Sequence, residues 1–186
     1  MYAASESDVD VLYFGGVFVP DPFISFSCQG KRFAVVSQLE YARIVKVGGY
    51  DEVLSLEEVA SLAKSAQPAM QIAWVAKKFK IPAFTVAEKF PCGLAFQLQE
   101  LGVKLEVAEG LLFPERERKS DDEAKQIKLG NAASSAGFRV VEKLLRDAEI
   151  RKGYLYHAGR RLTSEKVQEE ISIACLRRGA VASQVI

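Results

Sequence analysis

Apolar and polar positions divide the chain into a strand-rich opening and a helix-rich remainder. Val9 to Phe14 is a β-branched and aromatic run that breaks at Gly15-Gly16, and it reads as the first strand. Phe23 to Cys28 and Arg32 to Val36 are two further strands, and Gln29-Gly30-Lys31 between them reads as a hairpin turn in which Gly supplies a positive φ. Ser37 to Glu40 has the spacing of a capping box, a Ser at the cap and a Glu three residues on. It predicts a helix to Val47 that Gly48-Gly49 ends. Strands and single helices then alternate. Tyr50 to Leu54 is a strand, and Ser55 to Glu58 is a second capping box that opens a helix with Leu56, Val59, Ala60 and Ala63 inward. Pro68 starts a helix with Ile72, Val75, Ala76 and Phe79 aligned. Ile81 to Val86 is a strand, Pro91 opens a helix with Leu94, Leu98 and Leu101 inward, Gly102 closes it, and Val103 to Val107 is a strand again. Strands separated by single helices predict an α/β fold, with a parallel or mixed β-sheet flanked by helices.

The pattern changes near residue 114. Phe113-Pro114 precedes the charge run Glu115-Arg116-Glu117-Arg118-Lys119, which reads as a solvated connector and divides the chain into residues 1–117 and 118–186. Ser120 to Glu123 is a third capping box, and the helix it opens runs for roughly 25 residues or more, above the usual length. Ala133, Ala136, Val140 and Leu144 share its inner face. Gly130 and Gly137 mark either a place where a neighbour packs close or a weak helix, since each costs about 1 kcal/mol against Ala. Tyr154 to Tyr156 is a connector or a strand. The last helix is capped by Thr163 or Ser164, has Val167, Ile171, Ala174 and Cys175 inward, and ends at Gly179. Ala180 to Ile186 reads as the start of a strand.

Composition adds mostly exclusions. Apolar residues form 49% of the 186 residues, enough to bury a core. Lys plus Arg number 25 against 24 Asp plus Glu, so no net field favours nucleic acid or an anionic membrane. Cys28, Cys92 and Cys175 are scattered and odd in number, which fits three free thiols and no disulfide framework. The opening residues are acidic, with no basic start or apolar run, and no stretch is long enough to span a bilayer. A cytoplasmic location is the expectation.

Little in the chain is shaped for catalysis. His157 stands alone beside Tyr154 and Tyr156, with no nucleophile elbow around it, and reads as a packing or surface residue. No glycine-rich phosphate loop is present. Asp121-Asp122-Glu123 and Glu169-Glu170 lie on helices, where acidic residues in a first turn answer the helix dipole. Trp74 and the Phe residues read as core, and so does the aromatic-rich stretch from Tyr13 to Phe26, whose other reading is a pocket lining.

Two stretches resemble the pita-bread metallopeptidases, the Xaa-Pro aminopeptidase, prolidase and creatinase family. The longer one joins Arg116 to Glu123, Asn131 to Ala136, Gly159, Leu162 to Glu165 and Gly179: a basic connector, a capped Ala-rich helix, then a Thr-Glu opening of a second helix that ends in Gly. The shorter is Asp10-Val11-Leu12-Tyr13-Phe14-Gly15-Gly16, similar to the first strand of the family's N-terminal domain. The resemblance implies a creatinase-like N-terminal domain over 1–117 and the first helices of an incomplete pita-bread domain over 118–186. It implies a non-catalytic N-terminal portion that stops before the metal ligands of a hydrolase acting on proline-containing peptides. No catalytic residue and no metal ligand is carried over. The parent would use two divalent ions, manganese, cobalt or zinc. Asp10 and Tyr13 would border the substrate entrance or a subunit contact, and the helices after residue 120 would take part in self-association as a homodimer or higher. The alternative is a peptide- or protein-binding module from a pita-bread protein that has lost catalysis, as in the nucleosome-reorganising chaperones.

Overall fold

The computed structural model describes residues 1–182 and divides after Glu117 into two compact units. The first unit begins with a short strand, β1 (Tyr2–Ala3), and the helix α1 (Val9–Gly15). The run from Val9 to Phe14 is therefore a helix, not the strand its β-branched residues suggest. Two local bonds outweigh propensity. The Asp8 side chain caps the helix by accepting from the N–H groups of Asp10 and Val11, and Gly16, at φ 62°, closes it by donating to the Leu12 carbonyl. The buried positions Asp10, Val11, Phe14 and Gly15 follow a helical rather than a two-residue period.

Strands β2 (Phe23–Cys28) and β3 (Lys31–Val36) form the hairpin, and Gln29 and Gly30 both take positive φ as its two-residue turn requires. Helix α2 (Gln38–Val47) follows, then β4 (Glu52–Ser55), α3 (Leu56–Ala63) and α4 (Pro68–Lys78). The sheet order is β1-β2-β3-β4, with β3 and β4 parallel and the other pairs antiparallel. Beyond it come β5 (Phe84–Val86), α5 (Cys92–Glu100) and β6 (Leu105–Val107). β5 and β6 pair in parallel as a separate two-stranded sheet. Helices cover both faces of the main sheet. Ile24, Phe26, Phe33 and Val35 pack on α3, α4 and α5 through Val59, Val75 and Leu98. Phe23, Ala34 and Val36, on the other face, pack with Val11, Phe14, Ile44 and Tyr50. The fold is α/β, a mixed sheet flanked by helices.

Several local expectations change. Ser37 is the residue before α2, but its side chain makes no capping bond, and Glu40 pairs instead with Arg43. Ser55 accepts from the Glu58 N–H while its hydroxyl donates to Glu57, so only half of that box forms. Leu101 lies past the end of α5 and is exposed, not inward. Gly49 stands where a Cβ would lie 1.7 Å from the Gly15 carbonyl oxygen, so two stretches of backbone touch there and only Gly fits.

The second unit holds α6 (Asp121–Arg146), a meander β7 (Glu149–Arg151), β8 (Tyr154–His157), β9 (Arg160–Arg161), and α7 (Ser164–Leu176). The capping box at Ser120 and Glu123 is complete, and Thr163 caps α7. Lys152-Gly153 and Ala158-Gly159, all at positive φ, turn the meander. α6 crosses α7 at Gly137, where an added Cβ would meet Ile171 Cγ2 at 3.1 Å, whereas Gly130 faces open space. Of the strand expected from Ala180 on, residues 183–186 lie outside the described residues, and 180–182 belong to no regular element. Among the described residues no helix is long and apolar enough to cross a membrane.

Candidate functional site

In the first unit the charged side chains converge on Asp10, which α1 presents from its first turn. Its carboxylate is almost buried and lies between two cations. Lys89 Nζ stands 2.9 Å from Asp10 Oδ2 and 3.0 Å from Asp8 Oδ1, and the Arg116 guanidinium pairs with Asp10 Oδ1. Arg116 belongs to the short 3-10 turn Pro114–Glu117, so this member of the charge run is anchored rather than a freely solvated connector. Burial alone would lower the Lys89 pKa, but its bonds to Asp10 and Asp8 outweigh that and raise it. Burial likewise works against the Asp8 carboxylate. Lys89 and the Val11 and Asp10 N–H groups hold its pKa below the usual range all the same.

Tyr13 lies one helical turn on from Asp10 and is half-buried. Its ring packs on Phe113 with centroids 5.6 Å apart, and Arg116 stands 5.8 Å over its face. Phe113 in turn stacks on Phe14 at 5.7 Å. The structure thus brings the two sequence-picked residues, Asp10 and Tyr13, to one cluster, with Arg116 touching both. A small cleft of about 90 Å³ opens beside it, lined by Asp8, Asp10, Lys89, Phe90 and Pro91 among others. The cluster's chemistry is that of a clamp. Asp10 already meets two cations, so it fastens α1 to the loop before α5 and to the chain at Arg116. Lys89 and Asp8 were not singled out from sequence, since no local spacing connects residues 81 positions apart.

The described residues do not suit a metal centre: no three His, Cys, Asp or Glu side chains stand where they could hold an ion. His157 is half-buried on β8 of the second unit. The three thiols are unpaired; Cys92 is exposed and Cys175 is buried with Sγ 3.7 Å from the Ala133 carbonyl oxygen.

No protein-family model and no curated protein sequence matches the chain. Among solved structures it is similar to the X-Pro aminopeptidase from Thermotoga maritima MSB8, with a TM-score of 0.63 and 16% identity. The likeness covers 96% of this chain, which spans 45% of that enzyme's length, and at this identity it establishes a shared fold.

Proposed function

We propose that this chain is the non-catalytic N-terminal portion of a metal-dependent peptidase that cleaves beside proline, as an aminopeptidase or a dipeptidase. The observation that carries this is the fold likeness over 96% of the chain to an X-Pro aminopeptidase, of which it spans 45%. Two cations a few ångströms apart need several bridging carboxylates, and the described residues gather no such set. In this reading the two divalent ions, manganese, cobalt or zinc, are held by the remainder of the peptidase, and no chemical step falls to residues 1–182. Asp10 and Tyr13 are positioning residues that fix α1 and the Phe113 segment at the border of the substrate entrance. Phe138 and Leu176, exposed on α6 and α7, support self-association.

The test is metal-dependent hydrolysis of a Xaa-Pro-Xaa tripeptide and a Xaa-Pro dipeptide. The chain alone gives no turnover with manganese, cobalt or zinc, and the protein expressed from the whole reading frame cleaves at least one of them. Turnover by the repurified chain overturns the non-catalytic reading. A whole protein that binds such peptides without ever cleaving them replaces the peptidase with a binding module. In the active protein, Asp10→Asn lowers kcat/KM several-fold, and an unchanged value removes Asp10 from the entrance. Sedimentation of the chain alone gives a dimer, and a monomer at every concentration removes the helices from that role.

A further inference from the structure

Helix α4 carries two apolar stripes, and the core takes up one of them. Ala69, Ile72 and Val75 are buried with Phe26 and Val35 of the main sheet. Met70, Ala73 and Trp74 form a second stripe at helical spacing, with Lys77 one turn on, and the three apolar members are only half-buried. This stripe is the floor of an open groove of about 500 Å³ in the first unit. Leu62 and Ala63, at the end of α3, line it on one side, and Leu101 and Val103, after α5, line it on the other. Leu62 and Leu101 are 53% and 43% exposed, so a large apolar side chain stands at each rim.

The groove offers side chains and almost no main chain. No strand residue lines it, and the N–H groups of Ile81, Leu101, Gly102 and Val103 already donate to the carbonyls of Ala76, Gln97, Gln99 and Leu98. An extended segment laid there would bury its own N–H and carbonyl groups unpaired, whereas a helix closes those bonds internally. The floor from Met70 to Lys77 is about 10 Å long, the length of two helical turns. Charge narrows the occupant further. Residues 59–87 hold four lysines and no Asp or Glu. Among the described residues, Lys77 in the groove and Lys64, the cap of α3, have no carboxylate within ion-pair distance. Lys104 is paired with Glu106 at 2.6 Å, which leaves Glu100 as the acid beside Leu101. We propose that this groove docks an amphipathic helix of a partner protein. Large apolar side chains at i, i+4 and i+7 sit on Met70, Ala73 and Trp74, and Asp or Glu residues line the edge toward Lys64 and Lys77. A flat bilayer is the poorer match, because it meets Leu62 and Leu101 at the rims before it reaches the floor. Affinity comes from apolar burial around Trp74, and the lysines set orientation. This inference stands apart from the peptidase reading.

Trp74 is the single tryptophan, so its emission reports on the groove directly. The experiment titrates the intact chain with a panel of Trp-free helical peptides of about four turns. Each holds Leu, Phe or Met in every combination at the three anchors and Glu along one edge, and a second panel has Lys in place of Glu. The expected result is that at least one Glu-edged peptide binds, one per chain, with a saturable blue shift of Trp74. Its Lys-edged version binds at least fivefold more weakly at low salt, and the gap closes as salt is added. Leu62→Asp, at a half-exposed position, weakens binding at least tenfold without moving the unfolding midpoint. Lys77→Glu weakens it several-fold, and the Lys-edged peptide regains the loss. The proposal is overturned if no peptide binds with a Kd below about 1 mM, if both edges bind equally, or if binding leaves Trp74 unchanged. A stronger Trp74 shift with phosphatidylserine vesicles than with any peptide makes the surface a membrane contact and overturns it too. So does a shift that follows chain concentration alone, which shows a second copy covering the groove.

Discussion

The two units of this chain, residues 1–117 and 118–186, have very different interiors. In the first, a sheet is covered on both faces, and Val35, Ala34, Val75 and Leu98 lose all contact with solvent. In the second, the buried apolar residues among those described are Ala133, Ala174 and Cys175, all small, where α6 crosses α7. Phe138, Ile150 and Leu176 remain 66–78% exposed there. The glycines follow the same division. Gly49 sits where backbone meets backbone, and Gly130 faces nothing. Large hydrophobic side chains alone do not make a core; a second layer must exist to receive them. Within its own boundaries the first unit has that layer and the second does not.

The comparison breaks most visibly at glycine. Gly49→Ala forces a Cβ onto the Gly15 carbonyl oxygen, and overpacking against backbone is expected to cost the first unit about 3 kcal/mol. Trp74, the single tryptophan, lies on α4 of that unit, so its fluorescence during denaturant unfolding isolates the effect. An unshifted midpoint would falsify the contact.

A smaller loss is expected at the charged cluster. Asp10→Ala leaves Arg116 and Lys89 without their shared partner, and because those cations are 28% and 50% exposed the loss is put at about 1–2 kcal/mol. Lys166→Ala, in the second unit, removes an open surface pair to Glu169 and Glu170 and leaves thermal unfolding unchanged. Equal effects at the two sites would erase the electrostatic difference between the units.

Proton linkage should also separate them. Burial pushes the Met1 amino group down to about 6 from its ordinary 8.0, with the Asp8 charge opposing. Between those values the unfolded chain holds more protons than the folded one. Stability of the first unit therefore rises as pH goes from 6 to 8, by about 1–2 kcal/mol, and is flat above 8. Acetylating the amine removes the slope. A slope that persists after acetylation assigns the linkage to another group.

The smallest effect has the opposite sign. Gly130→Ala meets no neighbour and gains helix propensity, so α6 is stabilised by up to about 1 kcal/mol, read as a higher melting temperature of helical circular dichroism. Gly137→Ala, 3.1 Å from Ile171, should gain less or lose. A larger gain at Gly137 than at Gly130 would show that the helices do not cross there.

Sequence by itself determined the features whose partners lie a few residues apart. The box Ser120–Glu123, the Thr163 cap, Pro68 at the start of α4, Gly48 after α2 and the turn at Gln29-Gly30 all close hydrogen bonds or set φ within one turn of chain. Local spacing records such bonds directly. It misled at Val9–Phe14, where β-branched residues point to a strand and the bonds from Asp8 and Gly16 make a helix. It missed β7 and β9, although Lys152-Gly153 and Ala158-Gly159 carried the turn signal. The resemblance singled out Asp10 and Tyr13, but the helix that brings them to one cluster and the cations that define their setting were not legible, because Arg116 is 106 residues from Asp10. Only the tertiary structure decided that pairing and the touch of Gly49 on Gly15. Each depends on how far apart two distant segments come to rest. That distance is set by the packing of whole layers, and no residue's neighbours in sequence encode it.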